Sequence, residues 1–360
     1  MEPAKVPTTV TVSPARLMVR AGLTLLISAA GGLVAQGLQL PAGMIMGGSV
    51  AVAIAAIAGV KVVVPGPLRD VAFVLTGAAM GAAVARDSLS LMSQWPISLA
   101  ALVLELILII AATGWVLQKL FRLDPGTAYL SSFPGHLSFI MAFASAGVGD
   151  PRQIAIIQVI RILILVICVP VGTMFLPIEH AAPLLAARTA MSMPVLLALL
   201  AGCAAAGLVF TRLKVPAGFV LGAMLAATSA KLMGLFDGAM PPLILTATFI
   251  IVGALIGSRF ADTTRDELRR AAIGGLVATA LTVSIVTVIA WLVSGLVAMP
   301  FGQIWLGLAP GALEGMGAMG MVLGYDPAFI AAHHVARLLL LTIAIPVVVV
   351  LVSPKPAARP

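Results

Sequence analysis

Two arginines carry the clearest chemical signal in this sequence. Arg161 and Arg337 each stand inside a long apolar run that opens on an Asp-Pro pair, Asp150-Pro151 and Asp326-Pro327. A Pro-Gly pair precedes each run, Pro134-Gly135 and Pro310-Gly311. A guanidinium grips a carboxylate or phosphate with two parallel N–H groups. A Pro-Gly break frees the backbone groups of helix ends, which bind small ions when they line a cavity at membrane depth. Helical spacing puts Gln158 and His334 at i−3 of the arginines, and Ile154 and Ile330 at i−7, on one stripe of each run. The expected solute-binding set is therefore Arg161, Arg337, Gln158, His334, Pro134, Gly135, Pro310 and Gly311.

Two carboxylates could carry a proton or balance the arginines. Glu105 lies in the middle of the run from Trp95 to Leu117, and Glu314 follows the second Pro-Gly where Ser138 follows the first. The competing reading is structural: each arginine caps carbonyls of its own Pro-Gly break, and Glu105 is a plain counter-ion. His136, His333 and His334 do not make a metal set with Glu314, because adjacent helical residues point about 100° apart. Asp150-Pro151 and Asp326-Pro327 read as helix starts, Asp at the N-cap and Pro at N1. The stretch from Met316 to Met321, with Gly315, Gly317 and Gly320, reads as close helix packing. There is no phosphate loop, dinucleotide fingerprint, nucleophile elbow or zinc spacing, so neither an enzyme nor a cofactor is expected.

The elements that must position these groups follow from composition. Hydrophobic residues make up 61% of the 360 and charged residues 9%, with mean hydropathy +1.16. A soluble domain carries about 25% charged residues, so much of this surface faces lipid. The 21 Lys and Arg are scattered through short segments, which excludes a nucleic-acid patch. Cys168 and Cys203 lie in apolar runs without C-x-x-C spacing. The stretch Ala21 to Ala35 lacks a convincing cleavage site and is expected to stay as a first span.

The chain repeats. Laying 134–171 on 310–347, a shift of 176, gives 15 identities in 38 positions without a gap. They include Asp-Pro and Arg, which chance does not match in apolar sequence. Gly77, Gly81 and Trp115 fall on Gly253, Gly257 and Trp291, and a shift of 175 lays Pro41-Ala42-Gly43 on Pro216-Ala217-Gly218. Each half holds five apolar runs near the ~20 residues that span a bilayer: 17–36, 42–60, 68–85, 95–117 and 152–176, then 193–211, 217–235, 242–258, 271–295 and 329–352. A weaker segment, 126–148 or 302–324, carries each Pro-Gly. If both weaker segments are re-entrant, 16 Lys and Arg lie on the cytoplasmic side and three, Arg86, Arg188 and Lys231, outside. Crossing segments would reverse that bias in the second half. The expectation is an all-α membrane protein: an inverted duplication of 5+5 spans with two re-entrant segments. Its repeats are 17–176 and 193–352, flanked by cytoplasmic tails at 1–16 and 353–360.

The duplicated Pro-Gly-x-Leu, the following Asp-Pro and the long helix with a central Arg resemble the AbrB family of polytopic bacterial membrane proteins, across about 17–352. The resemblance implies a multi-pass inner-membrane protein. Members have been labelled ammonia monooxygenases, and the family name comes from an effect on gene expression; the small soluble DNA-binding regulator of the same name is a different protein. This chain departs from the pattern at His136 and Ser138, where a Gly and an acidic residue are usual. Inverted repeats, paired breaks and midplane arginines form the signature of a secondary transporter. The expected function is proton-coupled transport of a small anionic or zwitterionic solute, with a membrane-bound regulator acting through a partner as the alternative. The expected partners are that solute and the bilayer, without nucleic acid; the assembly the reading allows is a homodimer.

Overall fold

A computed structural model describes residues 13–84, 92–175 and 190–352. Most of the two tails and the loop positions Arg86 and Arg188 lie outside the described residues, as does residue 176 at the end of the first expected repeat. The first half contains α1 (Pro14–Gly37), α2 (Gly43–Ile57), α3 (Gly66–Ala83), α4 (Trp95–Lys119), α5 (Pro125–Ser132), α6 (Leu137–Ser145) and α7 (Pro151–Thr173). The second contains α8 (Met193–Arg212), α9 (Gly218–Leu232), α10 (Pro242–Gly257), α11 (Arg265–Ser294), α12 (Phe301–Leu308), α13 (Leu313–Val322) and α14 (Pro327–Val352). Seven of these, some with a flanking 3₁₀ turn, are long and apolar enough to cross a membrane: α1, α4, α7, α8, α10, α11 and α14. The molecule is a multi-pass membrane protein, all-helical among the described residues. The runs 42–60 and 217–235 shorten to 15-residue helices, α2 and α9, because each starts after a kinked Pro-Ala and ends in a turn. At 1.5 Å per residue these extend roughly 22 Å, less than the ~30 Å hydrocarbon core.

Local chemistry sets the helix starts. Asp150 accepts main-chain N–H bonds from Arg152 (2.8 Å) and Gln153 (3.3 Å), with Pro151 at N1. Asp326 accepts from Ala328 at 2.9 Å, so both Asp-Pro pairs are N-caps, as their spacing suggests. Ala42 and Ala217, the middle residues of the two Pro-Ala-Gly triplets, are both left-handed, at φ 50° and 53°. Thr264 and Glu267 form a capping box at the start of α11.

The contacts between halves are reciprocal. Helix α3 packs on α9 and α10 packs on α2; α4 packs on α14 and α11 on α7, with α4 and α11 also touching. Each exchange swaps elements that the repeat makes equivalent. Glycines make the closest of these approaches possible. A Cβ on Gly77 would stand within 2.2 Å of the Val220 carbonyl oxygen, and one on Gly257 within 2.5 Å of the Ser49 carbonyl oxygen. Gly81 and Gly253 sit one turn away on the same contacts, giving a small-xxx-small pair in each half. Trp115 and Trp291, near the C-terminal ends of α4 and α11, stay exposed, as ring systems at a membrane interface do.

Candidate functional site

The two Pro-Gly segments are hairpins of short helices, and their backbones explain why. In the first, α5 ends at Ser132, Gly135 takes φ 134° and His136 takes φ 59°, and α6 then runs back. Its ends meet: Asp150 N donates to Thr127 Oγ1 at 2.6 Å. In the second, α12 and α13 are joined by Ala309 to Ala312, and Asp326 N donates to Gln303 Oε1 at 3.1 Å. Thr127 and Gln303 occupy matching positions of the repeat, so two different side chains close equivalent hairpins. The first hairpin packs on α7 and the second on α14, the helices that carry the arginines.

The two hairpin tips and the two arginine stripes converge on one cavity of ≈ 180 Å³. Its walls include Pro134, Gly135, Gln158, Arg161, Pro310, Gly311, His334 and Arg337, all eight residues of the expected set, together with Glu314. Glu105 does not line it. That carboxyl is fully buried on α4 (0% exposed) and neither oxygen has a hydrogen-bond partner, but it feels the charge of Arg337. Depth counted along a helix locates such a residue vertically and leaves its direction open, which is why Glu105 reads like a cavity residue in sequence.

The arginines differ from each other. Arg337 (2% exposed) donates from Nη1 to the Ala309 carbonyl at 3.0 Å and from Nη2 to the Gly307 and Leu308 carbonyls, both at 2.8 Å. It caps the C-terminus of α12 and neutralises the negative end of that helix. Arg161 (4% exposed) makes no hydrogen bond or ion pair with any described residue. In the first half Gln158 does the capping, donating from Nε2 to the Leu130 carbonyl of α5 at 3.2 Å. The i−3 residue differs between the two stripes. Gln158 takes the Leu130 carbonyl, one residue before the positions equivalent to those that Arg337 caps, whereas His334 points Nδ1 at its own Ile330 carbonyl (2.9 Å).

Glu314, 7% exposed at the first turn of α13, pairs with Arg259 at 3.2 Å. Arg259 follows α10, has a side chain 32% exposed, and is the cavity's most open charge. Sequence reading placed it among the loop cations, since neither periodicity nor a motif links it to Glu314. Ala217, the left-handed residue before α9, also reaches the cavity. His333 points elsewhere: Nε2 meets Ser98 Oγ at 2.7 Å, and its ring packs on Phe329 and Trp95. His136 lines the cavity and contacts Thr342 Oγ1 at 3.2 Å. Among the described residues no three His, Cys, Asp or Glu side chains stand together as a metal set would.

The chain matches the family described as "Transition state regulatory protein AbrB" over residues 44–353. It is 26% identical to a protein of Escherichia coli (strain K12), provisionally named regulator AbrB, over 308 residues, 83% of this chain and 87% of that one. It is 24% identical to the uncharacterized protein YhjN of Bacillus subtilis (strain 168) over 295 residues, 76% of this chain and 75% of that one. No solved structure matches it.

Proposed function

The chain belongs to the AbrB family, and on that premise we propose that it is a secondary transporter of a small anionic or zwitterionic solute. One observation carries the reading: two broken hairpins, each closed on itself at its base, bring their tips and an unpaired buried arginine to one cavity. In this reading the halves 17–176 and 193–352 insert in opposite orientations, five spans each, and the hairpins are re-entrant from opposite faces. The reciprocal packing of α3 on α9 and α10 on α2 supports a two-fold relation between them. Both termini are cytoplasmic, which follows from the distribution of Lys and Arg, and the membrane is the inner one, as the family resemblance implies. Arg259 lies with the cytoplasmic cations in that topology, so the cavity opens inward.

Proton coupling assigns the proton to Glu314 or Glu105. Glu314 is held by Arg259 at the cavity wall, and Glu105 shares the field of Arg337; protonating either one raises the net positive charge around the cavity and favours an anion. Uptake into proteoliposomes, measured for small carboxylates, amines and inorganic ions with and without a pH gradient, tests the reading. The expected result is saturable uptake of a carboxylate whose pH dependence disappears in Glu314→Gln or Glu105→Gln. Uptake that stays pH-dependent in both variants would remove the coupling, and no uptake of any solute by folded protein would remove transport. The family's description and the name of the Escherichia coli relative favour a second reading, a membrane-bound regulator that acts through a partner; it expects a crosslinked partner protein and empty vesicles.

A further inference from the structure

Charge compensation around the cavity is uneven, and the unevenness specifies a ligand. Arg337 has three carbonyls on its guanidinium and the field of Glu105 nearby. Arg259 has Glu314 at 3.2 Å. Arg161 has neither: its Nε is buried without a partner, its side chain lines the cavity, and the charge it feels from within the protein is the like charge of Arg337. An isolated cation in an interior of low dielectric is costly even after relaxation, so Arg161 is the cavity arginine that calls for a negative partner from outside the described residues.

Geometry narrows the anion further. An uncommitted guanidinium presents two parallel donors, which a planar carboxylate matches. The cavity is ≈ 180 Å³, slightly larger than the ~150 Å³ apolar cavity that holds a benzene ring of six heavy atoms. Leu137, Ile162, Leu313 and Leu338 supply apolar wall beside Arg161, which suits a short hydrocarbon tail better than a bare inorganic ion. A second carboxylate would meet no free cation, because Arg259 and Arg337 are already engaged.

We propose that Arg161 alone anchors the solute, that the solute is a monocarboxylate of roughly four to seven heavy atoms, the size the benzene cavity sets, and that Arg337 holds the second hairpin without binding it. This rests on the transporter reading for the location of the site but is tested by binding. The full-length protein in detergent micelles is titrated calorimetrically with butyrate, succinate and butylamine. Wild type is expected to bind butyrate at least tenfold more tightly than either of the others. Arg161→Gln should lose butyrate binding about a hundredfold while keeping its melting temperature, since no described residue depends on this side chain. Arg161→Lys keeps the charge without the fork and should lose about tenfold. Arg337→Lys, which can still donate to carbonyls, should bind butyrate within about threefold of wild type. Equal butyrate affinity in wild type and Arg161→Gln, a preference for succinate or butylamine, or no butyrate binding by folded wild type each overturns the proposal. Butyrate binding without vesicle uptake would leave the anchor standing and remove transport; uptake of some other solute with no butyrate binding does the reverse.

Discussion

At the residue scale, the two arginines that the repeat makes equivalent have taken different work. The reading that the arginines cap their own Pro-Gly breaks holds for Arg337, and Arg161 makes no such contact among the described residues. Gln158 has an amide N–H to give a carbonyl, while His334 turns its Nδ1 side to its own helix. Replacing Arg337 by Gln leaves the Gly307, Leu308 and Ala309 carbonyls short of donors at membrane depth. The expected cost is about 3–5 kcal/mol, the range for removing one partner from a buried charged contact. Arg161→Gln should cost less than about 1 kcal/mol, because no protein hydrogen bond is broken. Thermal unfolding in one detergent compares the two directly, and equal losses would show that the arginines are structurally alike after all. The stripe positions of both arginines were legible from spacing. Their different partners were not, since those depend on how far each hairpin's carbonyls project toward the helix beside them.

At the element scale, most helix starts were legible because Pro and Asp mark them: Pro125, Pro151, Pro242 and Pro327 each open a helix. The Pro-Gly breaks were legible too, as points where backbone groups must find cover. What sequence could not give was the closure of each hairpin through Thr127 and Gln303, two unlike residues that perform one task at equivalent positions. Nor did it give the purpose of the shared glycines, which in sequence are only markers of repetition. Gly77 and Gly257 let α3 and α10 lie against α9 and α2 at backbone distance. A Leu at either position drives a side chain into a carbonyl of the facing helix and should destabilise the fold by about 1–3 kcal/mol or more. Gly22 and Gly202 meet nothing within 4 Å of an added Cβ, so Ala there should leave the melting temperature unchanged or raise it. If Gly77→Leu and Gly22→Ala melt alike, the close approach of α3 to α9 is not what holds the halves together.

At the scale of the whole molecule, the proposed five spans in each half and the unequal charge of the segments between apolar runs call for opposite insertion of the two halves. Helix α11 spans 30 residues, roughly 45 Å at 1.5 Å per residue, so its two ends belong to different sides. Arg152 pairs with Glu267 at 2.7 Å, which puts the start of α7, beside the base of the first hairpin, with the start of α11. Pro300, at the base of the second hairpin, follows the other end of α11. The site proposed between the tips therefore requires hairpins that enter from opposite faces. Sided thiol labelling tests this most directly, with single cysteines at Ala146, Asp262 and Pro300 in a chain whose Cys168 and Cys203 are replaced. A membrane-impermeant reagent added to intact cells is expected to label Pro300→Cys and to spare Ala146→Cys and Asp262→Cys until the membrane is opened. Labelling of Pro300→Cys and Ala146→Cys from the same side would contradict opposite insertion, and with it a cavity built from both faces of the membrane.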